Sequence, residues 1–185
     1  MRVKSFFIWI LLFQILTINA QTPLSLNEKS YITISGTSNL HDWESRVTQI
    51  NLSGTGLEVE GKISEINSLT ITVPVKSIKS GKSIMDDKTY KALLADKYPN
   101  IKFSLESAKL SGGKITGKGK LTIAGNTKEV SFVSTYTYTG KSTFEIKGSQ
   151  KLDMLVYGVT PPTALMGTVS TGNELTIPYH IIINY

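Results

Sequence analysis

Hydrophobic and polar residues alternate along most of this chain. Tyr31–Ser35 places Ile32 and Ile34 on one face and Tyr31, Thr33 and Ser35 on the other, the two-residue period of a half-buried strand. Leu69, Ile71, Val73 and Val75 repeat the pattern, with Pro74 on the opposite parity marking an edge, a bulge or a strand end. Ile101, Phe103 and Leu105 alternate with Lys102, Ser104 and Glu106, and Leu121 and Ile123 continue the pattern further on. Val130, Phe132, Tyr136 and Tyr138 share one parity. Phe144 and Ile146 begin a run towards Leu152, and Leu175 to Tyr185 alternates to the last residue. Glu44–Leu52 and Leu57–Ile63 read as two more strands, with Ser53–Gly56 as the turn between them. Ser111–Lys114, Ala124–Thr127 and Thr139–Ser142 are turns. Gln21–Lys29 reads as a loose lead-in, and Val156–Gly172 as a long irregular segment.

One stretch breaks the period. Met85, Tyr90, Leu93 and Leu94 are spaced as one face of a helix expected over about 84–97. Ser83 with Asp86 forms the pattern of a capping box, and Pro99 stops the helix by Tyr98. About eight strands with a single helix predict an all-β antiparallel sandwich or up-and-down barrel.

The first twenty residues stand apart. Arg2 and Lys4 precede an apolar run from Phe6 to Leu16, interrupted only by Gln14, and Ala20 offers a small residue for cleavage. This is the pattern of a secretory signal peptide over 1–20, and it predicts export to the periplasm or the medium. Residues 21–185 are then a single domain, and no later run is long enough to span a membrane. Removing Arg2 and Lys4 takes the 20 Lys+Arg to 18 against 14 Asp+Glu. The lysines are spread singly, so no basic block tracks phosphates and nucleic acid is not an expected partner. The chain has no cysteine, so its stability must come from core and ladder hydrogen bonds alone.

Chemistry is sparse. Without thiols, and with only His41 and His180 as imidazoles, the chain offers no metal-ligating spacing. His41 and Asp42 are neighbours in an extended stretch and so face opposite ways. No nucleophile elbow is present. The expectation is a binding protein without catalytic residues, metal or cofactor. The inward face would either fill the core or line a cavity for an elongated apolar molecule; parity alone favours the filled core.

Several stretches resemble the YceI family, the lipid- and polyisoprenoid-binding, lipocalin-like domain of bacterial periplasmic and secreted proteins. They are Ser38–Trp43, Val75–Ile78 with Ser80-Gly81, Asp96–Phe103, Gly119–Lys128, Leu155–Val159 and Gly172–Leu175. The His-Asp-Trp form at 41–43 is similar to a branch common in Bacteroidota. The resemblance implies an extended antiparallel barrel of about eight strands capped by the helix. It also implies a small apolar lipid ligand, a polyprenyl lipid or quinone, in the interior. The apolar lining would then be Ile71, Val73, Phe103, Leu121, Ile123, Phe132, Tyr136, Tyr138, Phe144, Tyr179 and Ile181. His41, Asp42 and Tyr157 would be polar groups at the mouth. Leu152–Val159 replaces a charged, arginine-containing turn of many relatives, so a head-group contact there is not carried over. The alternative is a filled barrel acting through its surface as an envelope stress or interaction module. A homodimer is left open.

Overall fold

The computed structural model describes residues 21–185, the side chains of 164 and 165 excepted; the leader expected over 1–20 lies outside these residues. Twelve strands and one helix follow in order. The strands are β1 (Gln21–Leu26), β2 (Tyr31–Ser38), β3 (Trp43–Val47), β4 (Asn51–Val59), β5 (Lys62–Pro74) and β6 (Ile78–Lys79). After the helix α1 (Ser83–Ala92) come β7 (Asn100–Ser111), β8 (Lys114–Ile123), β9 (Asn126–Tyr138), β10 (Thr143–Asp153), β11 (Thr163–Ala164) and β12 (Val169–Asn184).

Eight of the strands close into an antiparallel ring, β1-β4-β5-β7-β8-β9-β10-β12, with β12 returning to β1. The closing register is Ser25↔Asn184 and Leu26↔Ile183. Closure removes the unpaired edges that an open sheet would expose. Only the end of β12 meets β1; from Thr171 to His180 the same edge pairs β2 instead. β2 then pairs β3, and β3 pairs β6. The barrel therefore opens into a flap, β2-β3-β6, at one end. α1 lies beside the free edge of that flap, and Leu93 packs on the cluster of Val47, Val73 and Ile78.

Gln21–Leu26, expected to be loose, is the strand that closes the ring. Leu24 is buried at 5% exposure, and β1 pairs β4 from Gln21↔Leu57 to Leu24↔Gly54. Ser53–Gly56, expected as a turn, is mid-strand. A Cβ on Gly54 would lie 2.4 Å from the Ser68 carbonyl oxygen, so this glycine marks close approach of two backbones at a bulged pairing. The turn is displaced to Glu60-Gly61, both at positive φ.

The helix is shorter than its pattern. It ends at Ala92, and Leu94 takes φ 53, turning the chain well before Pro99. The capping box does not form either. Lys82 is the N-cap and makes no side-chain cap bond. Asp86 turns back to accept from the Ser80 amide (2.8 Å) and hydroxyl (2.6 Å). Burial would raise its pKa, but the two Ser80 bonds and the Lys79 charge outweigh it and hold the carboxyl below its ordinary value. Of the expected apolar stripe, Leu94 is exposed. Tyr90 works through its hydroxyl, which bridges the carbonyl oxygens of Lys76 and Ile78 at 3.0 Å each and accepts from Lys79 Nζ.

The main core gathers at the end away from the helix. Ile63, Ile115, Phe144 and Ile183 are each 0–1% exposed there, and each such side chain contributes about 1.5–3 kcal/mol of transfer free energy.

Candidate functional site: a two-chambered barrel interior

The alternation of β5, β7, β8, β9 and β12 turns one row of apolar side chains into the lumen from each strand. They do not fill it. An inner chamber of about 220 Å³ remains. Of the expected lining, Ile71, Val73, Phe103, Leu121, Ile123, Phe132, Tyr179 and Ile181 all border it. Tyr136, Tyr138 and Phe144 do not. They point inward but pack on one another, with ring centroids 5.2–5.7 Å apart. Tyr138 donates its hydroxyl proton to the Ile63 carbonyl, and burial pushes its pKa up. These three rings plug the far end instead of lining the cavity. Parity reports which face a residue takes, but not its height along the barrel axis.

The chamber stays open because wall aromatics lie flat over glycines. A Cβ at Gly117 would meet Phe132 at 2.7 Å, and one at Gly119 would meet Phe103 at 2.7 Å. The two rings pack edge to face, 5.9 Å apart. Tyr179 likewise crosses its strand partner Gly148 and reaches Ser134, with the two hydroxyl oxygens 2.7 Å apart. Burial raises the Tyr179 pKa, and the Ser134 bond offsets part of that rise. Ser134 and Gln150 also border the chamber and were missed by the sequence reading. Ser134 could have been found, because it shares the parity of Phe132 and Tyr136.

An outer chamber of about 650 Å³ adjoins the first. Ile34, Ile78, Ile101, Ile123, Leu152 and Ile177 border both, forming a ring of aliphatic side chains between them. The outer walls are α1, the β2–β3 loop with Trp43, and the segment from Asp153 to Val169. Lys88 Nζ donates to the Thr163 carbonyl (2.6 Å) and ties the helix to that segment. Among the expected mouth residues, His41 and Tyr157 border this chamber and Asp42 does not. The imidazole meets only the backbone of its neighbour, with Nδ1 2.7 Å from the Asp42 carbonyl oxygen. Tyr157 is 3% exposed, and burial pushes its pKa up. Its carbonyl accepts from Asn126 Nδ2 at 2.8 Å, which fixes the turn Met154–Tyr157 against the β8–β9 hairpin.

Titratable chemistry sits elsewhere. His180 is on the outer wall, with Nε2 2.9 Å from Glu145 Oε2 and its ring edge-on to Tyr31. That bond, foremost, holds the Glu145 carboxyl below its ordinary value. Among the described residues, no three His, Asp or Glu side chains converge on a metal-sized point. No described helix is long and apolar enough to cross a membrane. The interior thus offers shape and apolar surface, with its few polar side chains at the Ser134–Tyr179 pair, at Gln150 and around the mouth.

Solved structures of the same shape exist. Burkholderia cenocepacia BcnA superposes with a TM-score of 0.70 at 19% identity, covering 85% of this chain and 98% of that one. A polyisoprenoid-binding domain from Saccharophagus degradans, described as implicated in plant cell wall breakdown, gives 0.67 at 10% identity, over 87% and 97%. The Campylobacter jejuni YCEI protein gives 0.62 at 15% identity, over 76% and 84%. Comparison with curated proteins finds no match. The YceI-like domain model matches residues 27–182, which take in the flap, the helix and every strand of the ring but β1, and the chain belongs to that family.

Proposed function

We propose that this protein is an exported lipid carrier that holds an elongated apolar molecule of the isoprenoid class, a polyprenyl lipid or a quinone, along the barrel axis. The tail occupies the inner chamber and the polar end stays in the outer one, near His41 and Tyr157. The observation that carries this reading is the apolar inner chamber, plugged at one end by Tyr136, Tyr138 and Phe144 and adjoining a larger chamber at the other. Apolar surface removed from water contributes about 25 cal/mol per Å², so a preformed tunnel binds a chain without ion pairs. The description of the Saccharophagus degradans domain as polyisoprenoid-binding and the signal-peptide pattern of residues 1–20 support the same reading.

Native mass spectrometry of protein purified from its own envelope, followed by solvent extraction, tests it. A stoichiometric adduct that extracts as an isoprenoid lipid is expected. Ligand-free protein that also fails to bind isoprenoid quinones in a fluorescence titration would overturn the reading and leave the surface-acting module in its place.

A further inference from the structure

Residues Met154 to Asn173 include no charged side chain. The same segment walls the outer chamber through Met154, Tyr157, Val159, Pro162, Thr163 and Val169. Three of its described large side chains face water: Leu155 is 58% exposed, Val156 53% and Met166 108%. Met166 takes a left-handed conformation, φ 53, where glycine is favoured, and its large apolar side chain is fully exposed. The opposite walls do the same, with Leu40 67% exposed and Ile84 74%. Among the described residues, five of the nine exposed large hydrophobic side chains therefore lie on the segments that frame this opening.

The charges bordering the chamber are Lys82, Lys88 and Asp153. The Asp153 carboxylate is engaged by the Leu155 amide at 2.8 Å. Two ammonium groups against one carboxylate leave the border net positive, beside protruding aliphatic side chains. This is the composition with which a protein edge enters a bilayer interface, apolar groups below the headgroups and lysines among the phosphates.

We infer that the chamber mouth docks on the surface of a phospholipid bilayer containing anionic headgroups, with Leu155, Val156 and Met166 inserted and Lys82 and Lys88 facing phosphate. This rests on the carrier reading, since it places the tunnel opening against the phase in which an apolar ligand dissolves. Of the other four exposed large hydrophobic side chains, Tyr31, Val59 and Val133 belong to strands outside this rim, and Leu94, past the end of α1, does not border the chamber.

Flotation of the purified protein with vesicles of equal parts phosphatidylethanolamine and phosphatidylglycerol tests the inference. Wild type is expected to float, and Met166→Asp and Leu155→Asp each to lower the vesicle partition coefficient about tenfold. Val133→Asp, at a site away from the rim, should float as wild type. Thermal unfolding of each variant checks that it is folded, and Met166→Asp, at a fully exposed position, keeps the test open if Leu155→Asp fails to fold. Wild type that stays at the bottom, or a folded Met166→Asp that floats undiminished, overturns the docking surface. A dimer in the absence of vesicles that Met166→Asp dissociates, without flotation, overturns it in favour of a second copy on the rim. Lipid content of the same preparation, read by native mass spectrometry, separates the two proposals. Bound lipid without flotation removes only the docking surface, and flotation of a lipid-free protein removes only the carrier.

Discussion

Two hydroxyls on the chamber wall carry more than their size suggests. Ser134 is 3% exposed and its partner is Tyr179. Tyr179→Phe leaves the Ser134 hydroxyl buried and unpaired, at a cost of about 1–3 kcal/mol. Adding Ser134→Ala removes the orphaned group, so the double variant should recover most of that loss; urea denaturation of both singles and the double checks this. Gly148→Ala acts on the same pair from below. Its Cβ would stand 2.4 Å from the Tyr179 hydroxyl and 2.8 Å from that of Ser134, meeting side chains and no backbone. The ring must then swing into the lumen, costing about 1–3 kcal/mol and shortening the tail the chamber accepts, measurable with quinones of graded chain length. On the outer wall, His180 keeps the Glu145 pKa below its ordinary 4.5. A depressed carboxylate contributes stability above the unfolded pKa, and the contribution disappears as pH falls through the folded one. Wild type should therefore lose stability below about pH 4.5 more steeply than His180→Gln, in unfolding free energies measured across that range.

At the scale of elements, the ring depends on a strand that its own sequence hardly announces. β1 has Pro23 in its middle and a single buried residue, Leu24, yet it bridges β4 and β12. Leu24→Ala should cost about 2–5 kcal/mol, with amide exchange accelerating first in β1 and the end of β12. α1 is the opposite case: a clear helical signal with modest burial. It is held by the Tyr90 hydroxyl between the Lys76 and Ile78 carbonyls and by Lys88 on the Thr163 carbonyl. Tyr90→Phe should cost about 1 kcal/mol and speed ligand exchange through the outer chamber, visible as a faster quinone off-rate. The alternation of β5, β7, β8 and β12 was legible residue by residue, because a two-residue period maps directly to an inward or outward face. The limits of β4 and α1 were not. Gly54 looks like a turn residue until Ser68 of the neighbouring strand is placed beside it, and Leu94 looks helical until its backbone is seen to turn.

At the scale of the molecule, the same inward row does two jobs. Near the far end it packs solid around Phe144 and Ile183; nearer the helix it stands back from the axis, because glycines recess Phe103, Phe132 and Tyr179 into the wall. The lumen can therefore be filled by design. Ile71→Phe adds a ring where the inner chamber of about 220 Å³ has room. It should leave the melting temperature unchanged or raise it, while weakening quinone affinity about tenfold or more. Loss of stability with affinity retained would show that the chamber is not where the tail lies.

The sequence by itself determined the all-β class, the one helix, the turns at Gly112-Gly113 and Gly125, and, of the eleven lining side chains it proposed, the eight that border the inner chamber. These follow from local rules, period and turn chemistry, that act within a few residues. Only the tertiary structure decided that β1 closes the ring, that Tyr136, Tyr138 and Phe144 form a plug, and that Leu155, Val156 and Met166 are left exposed. Each of these depends on which distant strand lies alongside and at what height on the axis. Closure and stagger of the barrel set those relations, and no local pattern encodes them.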